Sequence, residues 1–177
     1  MRRLLVVLAT AILTIGMTAT ALAAGIFSVK ADELEYDLET GQGTAKGHVV
    51  VTQDGGQATA DYAEFNNKEK TGTFSGNVIL NKDGSNVICE KLIMHNENNF
   101  SAVGGASIRK DGKLLEAEQI DYNRADGYAN TAGGWARLTD VDGSTMTAQQ
   151  IDYDMHSALA QATGGVNINS SARNLEA

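Results

Sequence analysis

The chain has 177 residues, with 22 Asp and Glu against 14 Lys and Arg, a formal charge of −8, one cysteine and no proline. The acidity argues against nucleic acid as a partner and against docking on anionic membrane surfaces by charge alone. The lone cysteine, Cys89, excludes an intramolecular disulfide, and a chain without proline suits long, uninterrupted hydrogen-bonded strands.

Residues 1–23 read as an export signal. Arg2 and Arg3 form a positive start, Leu4 to Met17 an apolar stretch, and Ala21-Leu22-Ala23 a small-x-small cleavage site. The apolar run is shorter than the roughly 20 residues that span a bilayer; an uncleaved N-terminal anchor is the alternative. Residues 24–177 then form one domain with 12 basic and 22 acidic residues, a net charge of −10.

The domain is a five-fold repeat of about 29 residues, a period that implies a stacked architecture. One half-repeat reads Ala31-Asp32-Glu33-Leu34-Glu35-Tyr36-Asp37 and returns from Ala60, Cys89, Ala117 and Ala148. The other opens on Gly47, Gly76, Gly104, Gly133 and Gly164, which follow their lead small residues by 16, 16, 15, 16 and 16 positions. Cys89 stands where the other copies have alanine and reads as a small packing residue.

Both half-repeats alternate apolar and polar residues with period two, the mark of strands with one dry and one wet face. Leu34/Tyr36, Ala63/Phe65, Leu92/Met94, Ile120/Tyr122 and Ile151/Tyr153 share one parity; Val49/Val51, Val78/Leu80, Ala106/Ile108 and Val166/Ile168 do the same in the second half. Asp54-Gly55, Asp83-Gly84, Asp111-Gly112 and Asp142-Gly143 are hairpin signals, and turns such as Glu39-Thr40-Gly41 join the halves. Hairpins at both ends favour an antiparallel stack over a parallel β-helix. The apolar parity shifts at the lead Ala-Asp, which predicts a bulge or corner there. The expected fold is all-β, a twisted antiparallel β-jelly roll of two sheets around an apolar slot with open end edges. A sixth repeat would begin at Ala177, so the last edge and the first strand offer matching templates for head-to-tail association.

No catalytic constellation emerges, and neither a metal nor a cofactor is expected. His48, His95 and His156 lack metal-ligand spacing. Asp140-Val141-Asp142-Gly143 lacks the remaining ligands of a calcium loop and reads as a turn. The acids at the second position of each lead motif read as corner residues bonding backbone amides. Arg137 occupies a position that is apolar in other copies, which points to a local register change or a solvated guanidinium, the alternative being a rim where the guanidinium could meet a phosphate.

From about Val29 to Ile168 the chain resembles the organic-solvent-tolerance (OstA-like) family, on the recurrent Ala-Asp-x-Leu-x-Tyr-Asp of Ala31 to Asp37 and the Gly-Asn-Val of Gly76-Asn77-Val78. The resemblance implies a periplasmic jelly roll whose groove carries the lipid A acyl chains of lipopolysaccharide between two membranes. It also implies like-fold partners at each end, one anchored in the inner membrane and one in the outer. On the residues alone the apolar stripe is a plain core; the resemblance makes it a lipid slot. The path would be lined by Leu34, Tyr36, Val49, Val51, Phe65, Val78, Leu80, Leu92, Met94, Ile108, Ile120, Tyr122, Ile151 and Tyr153. The alternatives are a non-catalytic, self-associating structural envelope protein with a dry core and an inner-membrane anchored family member.

Overall fold

The computed structural model describes residues 27–171; the expected signal segment and the start of a sixth repeat lie outside them. Among the described residues there is no helix. The strands are β1 (Ser28–Lys30), β2 (Glu33–Tyr36), β3 (Gln42–Gln53), β4 (Gly56–Asn66), β5 (Thr71–Lys82), β6 (Ser85–Met94), β7 (Asn99–Lys110), β8 (Lys113–Asn123), β9 (Tyr128–Thr139), β10 (Thr145–Ala148), β11 (Gln150–Asp154), β12 (Leu159–Thr163) and β13 (Asn167–Asn169). All belong to one antiparallel sheet in which β3 to β9 each pair with the next strand. β1 and β2 both pair with β3, and β10 and β11 both pair with β9, so each of these couples is one long strand broken at a bend. β12 and β13 form the opposite edge in the same way.

The bend is the expected corner. The register shifts between Lys46 and Val49, Thr59 and Tyr62, Ser75 and Val78, Ile88 and Lys91, Val103 and Ala106, and Ala117 and Gln119. These bulges line up across the sheet and crease it into two leaves. Strand β5 measures the crease: straight, its 12 residues would span about 36 Å. Yet Thr71 at one end and Leu80 and Lys82 at the other line a single pocket. Phe27, just before β1, likewise packs on Phe65 near the far end of β4, with 5.6 Å between ring centroids. One ladder runs through the crease, because each strand crosses it with a one- or two-residue bulge rather than a loop.

Glycine makes the corner possible. Gly47 and Gly76 sit at φ +70° and +77°, and the residues after them, His48 and Asn77, are also at positive φ. The carboxylates of Asp32 and Asp61 lie so close over these glycines that a Cβ there would collide with them. The lead acids are therefore corner residues, as expected, but their partners differ. Asp32 accepts from His48 Nδ1 at 2.8 Å and Asp61 from Asn77 Nδ2 at 2.8 Å, side chains of the opposing bulge rather than backbone amides. Asp32 and Asp61 each lie 16 residues before their partner side chain, the chain length that carries the strand out, round the turn and back to the corner.

Inside the crease the first leaf presents an aliphatic ladder, Val29–Val51–Ala58–Leu80–Val87–Ile108–Leu115–Leu138–Met146. The second presents Ala45–Ala63–Phe74–Leu92–Ala102–Ile120. Both belong to one continuous core, and each large side chain in it stabilises the fold by roughly 1.5–3 kcal/mol. Repeat four resolves the Arg137 question. Gly133, Gly134 and Trp135 together face the single residue Glu118, so the bulge is one residue longer than its counterparts. The register change turns Ala136 inward and Arg137 outward, beside Glu116 and Thr147.

Candidate functional site

The creased sheet encloses an apolar interior running from the β1–β2 edge to the β12–β13 edge, where the slot was expected. Of the residues expected to line it, Val49, Val51, Phe65, Val78, Leu80, Leu92, Ile108, Ile120, Tyr122, Ile151 and Tyr153 are buried in the common core. Tyr36 and Met94 are half-buried against it. Leu34 is 50% exposed, unlike the rest of the expected set. It pairs with buried Ala45 and has the inward parity, but among the described residues β2 is the last strand of the stack and nothing covers it beyond. Val166 and Ile168 are exposed for the same reason at the other end, where Ile168 extends the aliphatic ladder from Met146.

Other lining residues were missed. Phe74, Phe100, Val87 and Leu115 are as buried as the expected set. The strands extend four to seven residues beyond the short motifs, and carrying the same alternation back from Gly76 and Ala117 would have reached Phe74 and Leu115. The second leaf also carries a row along its outer margin in which large side chains lie over small ones. Tyr36 and Phe65 flank Gly43, where an added Cβ would sit 2.5 Å from Phe65 and 2.9 Å from Tyr36. Phe100 and Tyr122 pack together further along, with centroids 5.2 Å apart.

The two long sides of the slot are closed differently. Backbone ladders close the crease, lined by the small row Val49–Ala60, Val78–Cys89 and Ala106–Ala117–Ala136–Ala148. Burial there pushes the Cys89 thiol up to about 11. The opposite side is a seam where turns of the two leaves meet. Arg124 of the second leaf reaches Asp83 of the first at 2.8 Å, and Lys113 of the first lies 5.9 Å from the Tyr153 ring of the second. The Tyr153 hydroxyl beside it holds the Lys113 ammonium above the usual lysine range. Free space along the seam is small, about 60 Å³ at a pocket near Phe27 and Phe65 and about 60 Å³ near Leu138 and Tyr153. A depression of about 700 Å³ lies around the lower margin of the second leaf among Glu35, Asp37, Glu64 and Glu69, and it shares Phe65, Asn66, Thr71 and Met94 with the seam pocket near Phe27.

Polar groups inside are few. Thr131 Oγ1 accepts the Ile151 N–H at 2.8 Å. The Tyr122 hydroxyl is buried without a hydrogen-bond partner among the described residues. The histidines are dispersed: His48 pairs with Asp32 at a corner, while His95 and His156 stand in turns of the second leaf. No group of three His, Cys, Asp or Glu able to hold a metal occurs among the described residues. Asp140 to Ser144 form the β9–β10 turn, closed by the Gly143 N–H donating to the Asp140 carbonyl at 3.0 Å.

The family model described as "LptA/(LptD N-terminal domain) LPS transport protein" matches residues 57–177. Among solved structures, LptH of Pseudomonas aeruginosa, described as the LptA homologous periplasmic component of the conserved lipopolysaccharide transport device, is similar at a TM-score of 0.44 and 16% identity. The match covers 83% of this chain and 96% of LptH. No curated protein matches the sequence significantly. With a family model spanning more than half its length, the chain belongs to the LptA/LptD N-terminal-domain family of lipopolysaccharide transport proteins.

Proposed function

We propose that the chain is a periplasmic element of a bridge for lipopolysaccharide, holding the acyl chains in its slot while the saccharide stays outside. The carrying observation is the asymmetry of closure: an apolar interior runs from one open sheet edge to the other, sealed by backbone along the crease and only by side chains along the seam. Acyl chains could enter through the seam without breaking a ladder hydrogen bond, each buried methylene contributing about 0.8 kcal/mol. Direction of transport comes from an energy source elsewhere, and no reaction is assigned to the chain. The outer sides of β1–β2 and β12–β13, unpaired among the described residues, are templates for strand addition. They suit like-fold inner-membrane and outer-membrane partners, or further copies of this chain.

A second reading, a self-associating envelope scaffold with a dry core, draws support from how completely side chains fill the slot in this conformation. Mass spectrometry of the chain purified gently from a lipopolysaccharide-producing cell separates the two. Stoichiometric lipid A species are expected. A lipid-free protein that also takes up no added lipopolysaccharide would favour the scaffold.

A further inference from the structure

The seam pocket nearest the β1–β2 edge has a composition that the net charge of the chain conceals. Its floor is apolar and comes from both leaves: Val51, Ala58 and Leu80 from the first, Phe65, Phe74 and Met94 from the second. Its only ionisable lining residues are Lys70 and Lys82, which stand at the two ends of β5 and are brought together by the crease. The stem of Lys82 lies across Gly56, where an added Cβ would come within 2.8 Å of it. Lys70 is anchored on the other leaf by a 3.4 Å hydrogen bond to Asn67 Oδ1. The amides Gln53, Asn66 and Asn67 complete the rim, and no carboxylate lines the pocket. Elsewhere on the seam Arg124 pairs with Asp83 and Glu97 and Lys113 with Asp140, and the pocket near Leu138 and Tyr153 carries the carboxylate of Asp111 beside Lys110 and Lys113.

We propose that this pocket is the loading site for an anionic amphiphile, with a phosphate held between Lys70 and Lys82 and the chain directed down between the leaves. This rests on the slot reading above and adds to it where, and by which charges, the lipid is recognised. An apolar floor under two uncompensated ammonium groups and three amides matches a phosphorylated, acylated lipid, since phosphate accepts charge-assisted hydrogen bonds from both lysines. An uncharged lipid would leave the rim unused, and a small inorganic anion would leave the floor unused. The charge of −10 on residues 24–177 works against headgroup binding at long range, but screening leaves little of it beyond about 8 Å at physiological salt.

The test compares lipid A with lipid A stripped of its phosphates, binding the full mature chain, Lys70→Gln/Lys82→Gln, and a control with the same charge change on the outer surface, Lys46→Gln/Lys91→Gln. The wild type is expected to prefer the phosphorylated probe. The Lys70→Gln/Lys82→Gln variant should lose about tenfold of that affinity, with no change toward the stripped probe and with weaker salt dependence, while the control behaves as wild type. Equal losses in the two variants, or loss toward both probes alike, would overturn the assignment. Inorganic phosphate competing as well as lipid A would overturn it too, by marking a free-anion site. If the wild type binds neither probe, the slot reading itself fails, an outcome distinct from a slot that ignores these lysines.

Discussion

Replacing Leu92 by alanine should lower stability and raise lipid affinity at once, a combination that a dry core cannot produce. Leu92 is fully buried in the middle of the second leaf, between Phe74 and Ala102 on the neighbouring strands. Leucine-to-alanine changes at such sites cost about 2.7–5.0 kcal/mol. The sheet on both sides is hydrogen-bonded and collapses little, so about 3 kcal/mol is expected. A domain of this size, at about 0.05–0.15 kcal/mol per residue, has roughly 7–22 kcal/mol to lose and stays folded. The three carbons removed leave room for acyl methylenes that the wild type admits only by displacing side chains. At about 0.8 kcal/mol each, partial filling should tighten lipid binding by about 1–2 kcal/mol, or five- to thirtyfold. Urea unfolding followed by circular dichroism, with and without lipopolysaccharide, measures both terms, because ligand stabilisation follows the ratio of free ligand to its dissociation constant. A lipid-induced shift no larger in Leu92→Ala than in wild type would refute the idea that acyl chains pass this position. A destabilisation below about 1 kcal/mol would refute the packing argument itself.

Hydrogen bonding to Asp32, and then its charge, raises the His48 pKa above the usual 6.5. The pair therefore contributes below pH 6.5 and loses its contribution as pH rises through the raised value. An NMR titration should place the imidazole above 6.5 and return it toward 6.5 in Asp32→Asn, and an unmoved titration would dismiss the pairing. Cys89, buried with its thiol raised to about 11, should resist aromatic disulfide reagents until the leaves part or the domain unfolds. Labelling at the rate of an exposed thiol would show the crease to be solvated. Tyr122→Phe removes an unpartnered buried hydroxyl and should stabilise the domain by about 1 kcal/mol in urea unfolding. A loss of comparable size would mean that the hydroxyl has a partner.

The repeat carried most of the architecture in the sequence. Period-two alternation identified the strands and most of the buried set, and Asp-Gly pairs marked the hairpins between β3 and β4, β5 and β6, and β7 and β8. The parity shift at Ala-Asp located the crease, because a bulge exchanges the faces of a strand. Three things were hidden. Continuity of one sheet through the corners depends on hydrogen bonds between neighbouring bulges, which no single motif encodes. The exposure of Leu34 and Ile168 depends on their strands being terminal, although their motifs match the interior copies. The pairing of Lys70 with Lys82 depends on folding β5 back on itself, which brings together residues that a straight strand would hold about 36 Å apart.

The same construction explains how a slot can be both a core and a path. In a sandwich of two independent sheets, separating the halves exposes both faces along their whole perimeter. Here the crease remains joined by backbone when the seam opens, and the positive-φ glycines under Asp32 and Asp61 sit on the line about which the leaves would turn. Opening then costs side-chain contacts: the Arg124–Asp83 pair, largely solvent-facing on the Asp83 side and worth below about 1 kcal/mol, the Lys113–Tyr153 contact, and the apolar surface of the residues exposed locally. Because the seam is stitched by separate contacts along its length, a short stretch can part while its neighbours stay closed. On the proposed reading, an acyl chain occupying that stretch would replace the lost apolar contact, so that opening and lipid capture would be one equilibrium, with the ladder hydrogen bonds of every strand left intact.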